Sequence, residues 1–226
     1  MKKGIIIFGL LALLTLCGLY AKRKFYDPKH RLTNAKNEIA KLVEKEEIQN
    51  GDLIFQTSLS GQSKAIQLAT NSKYSHCGLI FKEGNDYYVF EAIQPVKKTP
   101  LDKWIARGKN GHFVIKRLKN SSTILTESIL NKMKQEEQKF IGKNYDLTFE
   151  WSDDKIYCSE LIWKIYKRTT GIEIGKLEKL EDFDLTNEVV QAKMKERYGN
   201  KIPKEEIVIS PSAIFDSELL TTVKSN

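Results

Sequence analysis

The chain has 226 residues, 41% hydrophobic and 29% charged, with 37 Lys and Arg against 29 Asp and Glu for a net charge of +8. This mix excludes a disordered or collagen-like chain, and the length suits a leader plus one domain with a buried core. The basic residues are scattered and accompany no nucleic-acid-reading motif, so the surplus fits an anionic envelope and nucleic acid is not an expected partner.

Residues 1–21 stand apart from the fold. Met1-Lys2-Lys3 is a basic start, Gly4 to Ala21 is almost wholly apolar, and Lys22-Arg23-Lys24 closes the run. A cleavable signal peptide and a retained membrane anchor both fit, while Leu14-Thr15-Leu16-Cys17 is a poor lipoprotein box because Leu16 is large. Either way the expected destination is the cell envelope, with membrane association through this segment. Residues 22–34, with Pro28 and little periodicity, are expected to be a linker, and 35–226 the folded domain.

Ile39, Leu42 and Val43 recur at helical spacing and predict an amphipathic helix over 35–48. Asn50-Gly51-Asp52 is turn chemistry before a strand at Leu53-Ile54-Phe55, and a short helix is expected near 64–70. Strands over 75–82 and 87–93 flank Glu83-Gly84-Asn85-Asp86 as a hairpin. A loop over 95–99, a strand over 112–118 and one long helix over 123–141 follow, the helix stopped by Gly142. A helix opens at Cys158 and runs to about Thr170, closed by Gly171; beyond an irregular stretch come a helix near 187–197 and a strand at 207–209. Helices with a mainly antiparallel sheet make this an α+β chain.

Of the three cysteines, Cys17 lies in the leader, leaving Cys77 and Cys158. Cys158 shares a helical face with Leu161, Ile162 and Ile165. A cysteine on an apolar face is by default a packing residue. In the first turn of a helix, however, the positive end of the macrodipole favours thiolate, and unpaired backbone N–H groups can hold an oxyanion. A turn centred near Gly84-Asn85 sets Gly78 opposite Glu91 with His76 one diagonal step away, all three on one sheet face. Gly78 leaves room for the carboxylate to reach the imidazole, giving a base and its orienter on adjacent strands. If His76 faces the Cys158 helix, alternation turns Cys77 away from it. A His76–Cys158 dyad and a Cys77–Cys158 disulfide are then alternatives. His30 and His112 have no metal-like neighbours, and neither a zinc pattern nor a phosphate-cradling loop is present, so no metal or cofactor is expected.

Gly51-Asp52-Leu53-Ile54-Phe55, Ser75-His76-Cys77-Gly78-Leu79-Ile80 and Tyr88-Val89-Phe90-Glu91-Ala92 resemble blocks of the NlpC-type cell-wall peptidases, but the nucleophile block Tyr157-Cys158-Ser159-Glu160-Leu161-Ile162 comes last instead of first. That order resembles the YiiX/YebB-like branch with a circularly permuted papain-like fold, as do Tyr145-Asp146 and the ending from Ile209-Ser210-Pro211 to Leu219-Leu220. The resemblance implies Cys158 as nucleophile, His76 as general base and Glu91 as its orienter. Glu91 stands where non-permuted relatives carry histidine, and Cys77 where an apolar residue is usual. Tyr157 and Tyr74 flank the blocks and are candidates to line a substrate cleft. The expected activity is thioester-forming hydrolysis of an amide in a small, cell-wall-type peptide. A lipid-acting thiol hydrolase or acyltransferase and a non-catalytic binding module are the alternatives.

Overall fold

The computed structural model describes residues 27–226, so the apolar segment of residues 1–21, with the targeting and anchoring expected of it, lies outside the described residues. Among the described residues no helix is long and apolar enough to cross a membrane.

Helix α1, Asp27–Glu44, begins inside the stretch expected to be a linker. Asp27 sets a negative charge at the positive helix end, and Pro28 occupies the first turn, where its missing N–H removes no bond. Next come β1 (Asp52–Gln56), α2 (Ser63–Ala69), the hairpin β2 (His76–Glu83) and β3 (Asp86–Glu91), and β4 (Lys97–Pro100). The expected loop at 95–99 is thus an edge strand from Lys97 onward, a position where a proline costs little pairing. Helix α3 (Leu101–Arg107) and β5 (Val114–Leu118) follow. The helix expected over 123–141 is two, α4 (Ser121–Ile124) and α5 (Glu127–Phe140), because Thr126 turns extended and caps α5 by accepting from the Ile129 N–H.

Strands β6 (Asn144–Tyr145) and β7 (Lys155–Ile156) lead into α6, Cys158–Thr170, which ends on Gly171 at φ 77°, as the glycine predicted. The chain ends with β8 (Glu178–Lys179), α7 (Glu188–Tyr198), β9 (Ile207–Val208), α8 (Pro211–Phe215) and β10 (Leu220–Ser225).

Six strands form one antiparallel sheet in the order β10-β5-β1-β2-β3-β4. Period-two alternation divides its side chains cleanly. Leu53, Phe55, Cys77, Leu79, Phe81 and Phe90 face α5 and α6, with Met133, Leu161, Ile162 and Ile165 in the same core. Ile54, Ile80, Val89 and Ile115 face α1 and α3, with Leu42, Trp104 and Ile105. Leu180, Val190 and Met194 make a smaller apolar cluster with α2 and the chain around residue 183. A sheet between two helical layers positions everything below.

Candidate active site

Glu91, the last residue of β3, is fully buried on the α3 face. A buried carboxylate is costly unless its oxygens are satisfied. Here four donors meet it: His76 Nε2 at 2.6 Å, Trp104 Nε1 at 2.9 Å and Arg107 Nη2 at 2.6 Å on Oε2, and the Thr99 hydroxyl at 2.6 Å on Oε1. Burial would raise its pKa, but the hydrogen bonds and charges of His76 and Arg107 hold it down at about 2. The Trp104 ring also stacks on the imidazole, 5.9 Å between centroids and 25° between planes. Glu91 therefore fixes the ring and leaves Nδ1 as its working nitrogen.

The β2–β3 register continues from Leu79↔Phe90 to set Gly78 beside Glu91, as the hairpin turn predicted. A Cβ at Gly78 would lie 2.3 Å from Val89 Cγ1, 3.0 Å from the Phe90 carbonyl oxygen and 3.5 Å from Glu91 Cβ. The glycine is thus required for the approach of the two strands that brings His76 and Glu91 together.

Cys158 opens α6 from the other side of the sheet. Tyr157 and Ser159 pin that helix end: the Tyr157 hydroxyl accepts from the Ile209 N–H at 3.1 Å, and the Ser159 hydroxyl donates to the Ile209 carbonyl at 2.7 Å. Glu160 reaches back to the Tyr157 N–H at 3.4 Å as part of a capping box. The thiol is thereby held where the first-turn N–H groups and the helix dipole converge.

Strand alternation yields a correction here. His76 and Cys158 do meet, as hydrogen-bond partners, but His76 lies on the α3 face with Glu91 and reaches the thiol around the sheet's end. Cys77 points toward α6, not away from it, and its side chain and backbone N–H both hydrogen-bond Cys158. The dyad is therefore accompanied by a Cys77–Cys158 contact but not by the disulfide that was its alternative, and both cysteines are free thiols. The hydrogen bond from Cys77 most of all, then the hydrogen bond and charge of His76, overcome burial and lower the Cys158 pKa well below the usual thiol range. Burial disfavours a charged His76, yet Cys158 and Glu91 raise its pKa to about 9. Cys77 is pushed well up by burial and by its neighbour's charge, and so stays protonated. A thiolate–imidazolium pair is the outcome.

Two compartments adjoin this pair. An apolar cleft of about 90 Å³ reaches Cys158 and is lined by Ala65, Ala69, Phe183, Val190 and Met194 among others. A second trough reaches His76 and holds the charged side chains of Arg107, Lys193, Glu196 and Arg197. Tyr157 lies on the apolar cleft. Tyr74 does not reach it; its ring stacks on Phe215 at 4.2 Å and abuts Phe55 in the core. Thr99, Trp104 and Arg107 escaped the sequence reading, since nothing local to them signals a partner eight to sixteen residues back.

Residues 47–224 match the family model described as permuted papain-like amidase enzyme, YaeF/YiiX, C92 family. The chain belongs to this family. It is 50% identical over 175 residues to the uncharacterized protein YiiX of Escherichia coli strain K12, covering 77% of this chain and 85% of YiiX. It is likewise similar to the crystal structure of metalloprotein YiiX from E. coli O157:H7, at 50% identity and a TM-score of 0.76, covering 80% of this chain and 98% of that one. The permuted papain-like fold expected from block order is thus the fold of this C92 chain. Its sheet carries the histidine before the helix that brings the cysteine.

Proposed function

We propose that this C92 amidase-family chain is a cysteine amidase in which Cys158 is the nucleophile, His76 the general base and acid, and Glu91 the residue that orients His76. The carrying observation is a helix-starting thiol hydrogen-bonded to an imidazole whose other nitrogen is clamped by a buried carboxylate.

The Cys158 proton rests on His76 Nδ1. The thiolate attacks the amide carbon, forming the S–C bond, while first-turn N–H groups of α6 hold the oxygen that becomes negative. As the C–N bond breaks, the imidazolium gives its proton to the departing nitrogen. Water then adds to the thioester carbon, His76 takes its proton, and the C–S bond breaks to restore the thiolate.

YiiX of E. coli O157:H7 is described as a metalloprotein. The residues here do not fit a resident metal at this site, because both Glu91 oxygens already accept hydrogen bonds from protein donors. Among the described residues no group of three or more His, Cys, Asp or Glu side chains is placed to hold one. No step above runs through a metal.

The leader of residues 1–21 supports an envelope location, where small wall-derived peptides are substrates within reach. Product analysis by mass spectrometry after incubation with peptidoglycan fragments, beside Cys158→Ala, tests the activity. Iodoacetamide labelling of Cys158 should also be rapid near neutral pH and slow in His76→Ala. Equal labelling in both would remove the proposed dyad.

A further inference from the structure

Cys77 gives the Cys158 sulfur two hydrogen bonds, one from its thiol and one from its backbone N–H. A hydroxyl could supply the first equally well. What only a thiol adds is a sulfur able to bond covalently to the one beside it. Both backbones that carry the pair are fixed. Cys77 is paired with Phe55 in the interior of the sheet, and Tyr157 and Ser159 tie the start of α6 to Ile209. The two sulfurs are therefore held side by side, and both are free thiols.

Access differs between them. Cys158 lines the apolar cleft, whereas Cys77 is fully buried and lines neither the cleft nor the trough. A small oxidant arriving from solvent thus meets Cys158 first, and a thiolate is the form of sulfur that attacks a peroxide. Cys77 is reached through Cys158.

We propose that Cys158 is an oxidation site for hydroperoxides and Cys77 its resolving thiol, the two forming a reversible disulfide that switches the nucleophile off. The inference rests on the Cys158–His76 pair of the reading above and not on its substrate. The Cys158 thiolate attacks a peroxide oxygen: an S–O bond forms, the O–O bond breaks, and the departing hydroxide leaves as water with the His76 proton. The sulfur gives up two electrons and the peroxide takes them. The Cys77 sulfur then attacks the sulfenic sulfur of Cys158. The S–S bond forms, the S–O bond breaks, and the Cys77 proton leaves with the hydroxyl as a second water. The bridge spares Cys158 the irreversible step to sulfinic acid, and an external dithiol restores both thiols by exchange.

The reduced full chain is treated with an excess of hydrogen peroxide, trapped with iodoacetamide and peptide-mapped without reduction. The expected result is a linked Cys77–Cys158 peptide with loss of Cys158 labelling, of which dithiothreitol returns at least about nine-tenths. In Cys77→Ala, its fold verified by a thermal melt, peroxide should carry Cys158 to sulfinic acid, and dithiothreitol should return less than about a tenth.

The wild-type map decides the question even where the variant does not fold. Sulfinic acid at Cys158 without the linked peptide, or full Cys158 labelling after peroxide, overturns the proposal and leaves the amidase standing. Cys77 linked to Cys17 in place of Cys158 does the same. Failure of iodoacetamide to label Cys158 in the untreated, reduced chain overturns both.

Discussion

Glu91→Gln isolates the charge that holds His76. The substitution is well tolerated by the geometry: the amide oxygen can still accept from His76, Trp104 and Arg107 at the Oε2 position. The new NH₂ faces the Thr99 hydroxyl, which reverses to become the acceptor. Arg107, partly exposed, regains solvation from water. What disappears is one negative charge beside the imidazole. The rise of the His76 pKa from 6.5 to about 9 corresponds to about 3 kcal/mol in favour of imidazolium, reached against burial. Cys158 contributes more of that support than Glu91. A share of about 1.4 kcal/mol for Glu91 means that its removal lowers the pH at which His76 gives up its proton by about one unit. The imidazole resonances of His76, followed by NMR across pH, should titrate about one unit lower in the variant than in the wild type. A profile superimposable on the wild type, in a variant with an unchanged thermal melt, would refute an electrostatic role for Glu91.

Three further outcomes are expected. Gly78→Ala forces a Cβ to 2.3 Å from Val89 and 3.0 Å from the Phe90 carbonyl, so chemical denaturation should show a loss of about 1–3 kcal/mol. Cys77→Ala removes the largest support of the Cys158 thiolate, and the acid limb of labelling should move upward while labelling persists through His76; an unmoved limb would count against the cysteine contact. Glu137, fully buried beside the Tyr88 hydroxyl at 3.3 Å, has its pKa raised to about 7 by burial, opposed by Lys98. Its stabilising contribution is whole below pH 4.5 and lost as pH rises through 7, by no more than about 3 kcal/mol. Glu137→Gln should accordingly gain in melting temperature over the wild type at pH 8 and not at pH 4.5.

The hairpin was readable because Gly84-Asn85 fixes the turn, and a period of two then decides which residues share a face; His76, Gly78 and Glu91 fall on one side as read. Helix α6 was readable from its apolar spacing and from Gly171. The side on which Cys158 waits was misread. The reading required His76 to face the nucleophile's helix, whereas the first residue of a strand can reach past the sheet's end. Cys77, which faces α6 squarely, had looked like the excluded partner. Thr99 was hidden in an edge strand ending in Pro100, and Trp104 with Arg107 in a helix of seven residues, too short for a periodic signal. Nor does any sequence motif announce a cleft assembled from α2, α7 and the segment between them and α6, since those walls are distant along the chain.

The clamp on Glu91 is drawn entirely from residues 76–107, and the thiol it serves arrives fifty-one residues later. During synthesis, a ribosome-bound chain therefore displays an imidazole with nothing to activate until the later helix docks. Permutation makes the dangerous atom the last delivered, so an unfinished copy of this protein is chemically silent.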